Sequence, residues 1–236
     1  MKQHGRFMAW ALLGWAWPLA VAADVSTVPC EGVLASVQTR QPEAAEIACA
    51  GARDAAGFMG RLRLEAPRHV LIELVKQLPP DLRRDAVGCY ATQSQRLMVL
   101  EMPDFMARKR WLGVPTSAKL YRSVVAHEVA HALVGCHLGA RSLASAGHEY
   151  LAYVAMFATM DGPTREAVLA AVPGEGFTHD TEINDMRYTL DPLVFGVEAY
   201  RHWLRQPDGE QFLRRVIDGQ VVPDLLLTRR PEPIRP

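Results

Sequence analysis

The alternation of apolar and polar positions changes period along the chain. From Gly32 to Thr39 (GVLASVQT) the residues are β-prone. After Pro42, apolar side chains recur at helical spacing through Ala45, Ala48, Cys49, Ala52, Ala56 and Met59 to about Gly60. Residues 69–75 (HVLIELV) predict a strand, closed off by Pro79-Pro80. A further strand is expected over Arg96–Met102 (RLMVLEM), followed by a polar, basic loop through Lys109, Arg110 and Gly113. Beyond Pro115, Thr116 or Ser117 can cap a helix that runs to Val134, with Gly135 placed to end it. Helical spacing then dominates, over about Ser145–Met160, Thr164–Val172, a broken stretch at Asp185–Arg205, and Gly209–Gly219. No repeat and no long linker divides the chain. The pattern therefore predicts an α+β fold: a small N-terminal sheet, then a helical C-terminal half, in a single domain over residues 24–228, with 229–236 a solvated tail.

The first residues follow a different rule. Lys2, His4 and Arg6 precede an apolar run from Phe7 to Ala22 that ends in the small residues Ala20, Ala22 and Ala23. That sequence predicts a signal peptide over residues 1–23, cleaved after Ala22 or Ala23. The run is shorter than the ~20 residues a bilayer core needs, and Pro18 interrupts it. The expected destination is the periplasm or the exterior, with no membrane span after cleavage.

Composition changes the picture in two places. The chain has 236 residues with 26 basic and 26 acidic side chains, but Lys2 and Arg6 fall in the expected signal peptide, which leaves 24 bases against 26 acids. With that balance and no long basic run, a nucleic-acid partner bound by phosphate neutralisation is excluded. Cys30, Cys49, Cys89 and Cys136 form an even set in an oxidising compartment, which favours two disulfides. Three pairings exist. Cys30–Cys49 would close a short strand-to-helix loop and Cys89–Cys136 would tie a strand to a helix end, so these two are expected. No C-x-x-C pair suggests a zinc cluster.

The candidate chemistry is concentrated in one stretch. His127, His131, His137 and His148 lie within 22 positions, and the first two belong to His127-Glu128-Val129-Ala130-His131. On a helix, positions i and i+4 stand one turn apart on one face, so both imidazoles can reach one metal ion with Glu128 beside them. H-E-x-x-H inside a long helix is the pattern of zinc-dependent hydrolases.

Residues 117–153 on this ground resemble the zincin superfamily of metallopeptidases. They are also similar to secreted bacterial proteins in which such a helix precedes an E-Y-x-A-Y segment. The resemblance implies a helix beneath a small twisted sheet whose edge strand borders a cleft, a part for which Arg96–Met102 is the candidate. It implies Zn2+ held by His127 and His131, with Glu128 as general base. Three residues compete as third ligand. His137 completes the metzincin spacing, but Val134 stands where that branch has glycine. His148 is a second candidate. Glu149, after 17 intervening residues on a second amphipathic helix, resembles the gluzincin arrangement and is the preferred one. Gluzincins often carry a carboxylate four residues later; here Tyr153 stands there, and its phenol could accept a histidine N–H or meet a substrate oxyanion. His179, Tyr188 and His202 are further candidate donors. The implied activity is hydrolysis of peptide bonds, with a peptide or protein as partner. Two alternatives stay open: a non-catalytic extracytoplasmic binding or assembly protein on the same scaffold, and a zinc amidase with a non-peptide substrate.

Overall fold

The computed structural model describes residues 24–64 and 69–222, so the expected signal peptide and the C-terminal tail lie outside the described residues. Five strands form one mixed sheet: β1 (Ser26–Pro29), β2 (Ala35–Thr39), β3 (Val70–Val75), β4 (Gly88–Ala91) and β5 (Arg96–Leu100), in the order β1-β2-β3-β5-β4. The three inner strands run parallel, with Val37 opposite Ile72 and Ile72 opposite Leu97, while β1 and β4 close the two edges antiparallel. In β3 the pleat sends Val70, Ile72 and Leu74 into the core and Glu73 to the other face. There Arg96 of β5 holds Glu73 through two hydrogen bonds of 2.9 and 2.7 Å.

Helices supply the rest. Helix α1 (Pro42–Gly60) carries the chain from β2 to β3 and packs its alanine-rich face, Ala44, Ala45, Ala48, Ala52 and Ala55, into the core. Helix α2 (Met102–Ala107) and the hairpin β6–β7 (Arg110–Trp111, Val114–Pro115) lead to α3 (Ala118–Leu138). Then follow α4 (Ser145–Thr159), α5 (Gly162–Ala171), a single 3-10 turn at Asp180–Glu182, α6 (Asp185–Leu190), α7 (Pro192–Leu204) and α8 (Gly209–Ile217). The α+β architecture is the one that the polarity pattern predicts. Beyond Arg122, helix α3 is buried nearly all round up to Gly135, between α1, α4 and the sheet.

Several expectations need correction. The strand at Arg96–Leu100 is an inner strand, and the edge strand is β4, which carries Cys89. Helix α2 begins where a loop was expected. Ser117 caps α3 by accepting a hydrogen bond from the Leu120 amide at 3.2 Å, but the helix does not stop at Gly135. It continues to Leu138 and ends at Gly139, whose φ of 59° few side chains tolerate. Gly135 instead makes room for the Tyr90 ring: a Cβ there would lie 2.7 Å from it.

Of the expected disulfides, Cys30–Cys49 is formed, joining the turn after β1 to α1. Cys89 and Cys136 are free thiols. Strand parity is the reason. Gly88 and Tyr90 both face α3, so Cys89 between them points to the opposite side of the sheet, away from the helix that carries Cys136. Among the described residues no helix is long and apolar enough to cross a membrane, and the disulfide is compatible with an extracytoplasmic protein.

Replacing both Cys30 and Cys49 with alanine opens a link across 19 positions. Loop-closure entropy sets the expected loss at ~3 kcal/mol, measured as a lower denaturant midpoint than in the parent under oxidising conditions.

Candidate metal centre

His127 and His131 point from one face of α3 toward α4, where Glu149 meets them one turn after the helix begins. The Nε2 atoms of the two histidines are 3.1 Å apart, and the Glu149 carboxylate oxygens lie 3.5 Å from His127 Nε2 and 3.6 Å from His131 Nε2. Ligands held tetrahedrally at ~2.0–2.1 Å from one ion are separated by ~3.3 Å. The three side chains therefore already stand at the spacing of a single coordination sphere, and they form a group that could hold a metal ion.

The other candidate ligands stand elsewhere. Because α3 stays helical through Gly135, the six-residue step from His131 to His137 turns the side chain ~120° away, and His137 lines a different cleft with Leu62, Arg63 and Arg214. His148 is beside His131, with ring centres 6.1 Å apart, but is not among the three grouped ligands.

Burial makes the charges interdependent. Two imidazoles with nitrogens 3.1 Å apart cannot both be protonated at ordinary cost. Burial works against the charge on His127, yet its hydrogen bond to Glu149 and the charges of Glu128 and Glu149 hold its pKa above the usual histidine value. For His131, burial prevails and pushes the pKa down to about 3. Burial opposes the Glu149 carboxylate too, but the two histidines and a hydrogen bond from Tyr188 bring it down to about 2. For Glu128 burial, together with the Glu149 charge, outweighs the attraction of His127 and pushes its pKa up to about 7.

Glu128 faces an open cleft of about 640 Å³ together with His127, Glu149, Tyr153 and Tyr188. One wall is the edge strand β4 with the preceding loop, and the other is α6 with the start of α7. At Gly88 the backbone comes so close to Glu128 that a Cβ would lie 2.6–2.8 Å from its carboxyl group. Only glycine lets that side chain occupy its place against the strand.

Tyr153 sits one turn beyond Glu149, and its ring meets His127 edge-on at 4.6 Å. It makes contact through the ring; His127 Nδ1 has no hydrogen-bond partner among the described residues. The hydroxyl-to-histidine bond considered for Tyr153 is thus not formed. Tyr188 is the residue whose position the sequence did not reveal. Helix α4 has no side-chain cap of its own, and Asp185 of α6 accepts the Ala146 amide at 2.7 Å. That contact docks α6 on the start of α4, and three residues on, Tyr188 reaches Glu149. Of the remaining candidates, His179 sits at the head of the 3-10 turn, and His202 is buried 2.9 Å from the Tyr150 hydroxyl, outside the cleft.

One ion per chain is expected to bind the purified protein, as read by calorimetry after chelator treatment. Glu149→Ala should lower the affinity by at least ~10-fold, with His137→Ala unchanged. Because a ligand histidine must be neutral, binding displaces the proton from His127, so affinity should fall as pH is lowered from about 8 to about 5.

Comparison with known proteins adds one finding. No curated protein and no solved structure matches the chain. Residues 35–226, which include every member of the metal-binding group and the cleft, match a family of unknown function, DUF6639. The chain belongs to that family.

Proposed function

We propose that the protein is an extracytoplasmic zinc-dependent metallopeptidase of the zincin type, with the gluzincin ligand set His127, His131 and Glu149. The observation that carries this reading is the position of Glu128: a buried carboxyl group that is not one of the three converging ligands, held beside them at the cleft. A site that only stored or displayed an ion would have no use for it.

Two imidazoles and one carboxylate form a donor set suited to zinc and leave a coordination position for an exchangeable ligand. Zinc bound there would polarise a carbonyl group and acidify a water molecule. Glu128, with its pKa near neutrality, can take a proton from the attacking water and return it to the leaving nitrogen. The free edge of β4 offers backbone hydrogen bonds to an extended peptide. Tyr153 and Tyr188 both line the cleft; the Tyr188 O–H is given to Glu149, while burial raises the Tyr153 pKa, so its phenol keeps its proton as a donor to a developing oxyanion.

The decisive comparison uses residues 24–236 and a mixed set of protein and peptide substrates. Glu128→Gln should keep its metal and lose ~10²–10⁴-fold in rate. Bound metal with no cleavage by either protein would remove the peptidase reading and favour a binding role.

Gly88→Ala provides an independent check. The three atoms nearest its methyl group all belong to Glu128, so the substitution acts first on that carboxyl group. Turnover is expected to fall at least ~10-fold while metal content stays at the parent level.

A further inference from the structure

Arg83 stands in the loop before β4 and lines the same cleft as Glu128. Its Nη1 donates a 3.0 Å hydrogen bond to the backbone carbonyl of Thr189, 106 residues away on α6. The side chain therefore spans from the loop before β4 to α6, beside the cleft-lining Tyr188 and five positions before Gly88.

Both anchors of this bridge are fixed. On the β4 side, Arg108 donates to the carbonyls of Arg84 and Ala86 at 3.1 and 2.8 Å, so the loop is clamped on both sides of Asp85. Asp85 in turn accepts from Arg83 Nε at 3.2 Å, which directs the guanidinium toward α6. On the other side, Asp185 holds α6 to the start of α4, and Arg187 pairs with Glu198 of α7 at 3.0 Å. A long side chain spanning two fixed walls behaves as part of the cleft, since its rotamer freedom is already restricted by bonds at both ends.

We propose that Arg83 is a strap closing one end of the cleft, and that the substrates are short peptides and chain ends, not the interior of long chains. The inference rests on the peptidase reading above. A cleft that cleaves in mid-chain must let the polypeptide leave in both directions from the scissile bond. Here the guanidinium ties the loop before β4 to α6 beside the cleft-lining Tyr188, so a substrate segment extended past that point has to displace its bond to Thr189. Arg83 is thus a specificity-determining residue that acts by position, taking no part in proton transfer.

The test uses the zinc-loaded mature chain and a nested peptide set that shares one cleaved bond, lengthened by up to about six residues on one side or on the other. Lengthening one side is expected to leave kcat/KM nearly unchanged. Lengthening the other should lower it about tenfold, the scale of one charge-assisted hydrogen bond. Arg83→Ala should bring the two series within about twofold of each other, and Arg83→Lys, which cannot hold both acceptors at once, should fall between. The same peptides titrated calorimetrically into the Glu128→Gln protein should show the asymmetry in Kd, and lose it when Arg83→Ala is added. Equal tolerance on both sides, or an asymmetry that survives Arg83→Ala, overturns the strap and leaves the peptidase reading intact. If no peptide is bound or cleaved, the peptidase reading fails and the strap falls with it.

Discussion

Four ionisable side chains, His127, His131, Glu128 and Glu149, share one water-poor space between α3 and α4, and each alone would be costly to bury. They are tolerated because they are buried together. The histidines draw the Glu149 pKa down, the two carboxylates draw that of His127 up, and burial lowers that of His131 and raises that of Glu128. They sit at the contact between α3 and α4, whose other buried residues are mostly apolar. The position of α6 depends on the contact in turn, because Asp185 docks on the first turn of α4 and Tyr188 on Glu149.

What could be read in the sequence was local. The helical repeat alone places His127 and His131 on one face, and the alternation in Val70–Val75 alone orients that strand. What could not be read was set by distant neighbours. The four residues of β4 carry no pattern of their own and become a strand through pairing with β5 and the fit of Gly88 and Tyr90 against α3. The end of α3 was misjudged because two glycines compete, and the difference between them is the ring of Tyr90. Tyr188 lies 39 positions from Glu149, so nothing nearby in the sequence marks the contact. For α2 a signal did exist: Pro103 in the first turn with Asp104 beside it is a helix start, overlooked in favour of the basic residues that follow.

The two halves of the fold contribute different things to the centre. The helical half supplies the three grouped ligands, on elements whose interiors are packed. The sheet half supplies backbone: the strand edge at Gly88, close enough to Glu128 to dictate its placement, and the loop that carries Arg83. A site of this kind needs both halves in register, and α3 is the element that touches each of them.

On its far side α3 meets α1 at Gly51, where a Cβ would lie 2.4 Å from the Arg122 carbonyl oxygen. Two helix backbones this close cannot slide or rotate past one another without collision. The helix that carries His127 and His131 is therefore a fixed mechanical reference against which the walls of the cleft are placed. The direction in which the histidine face looks toward α4 is then set from behind, by the seating of α3 on α1.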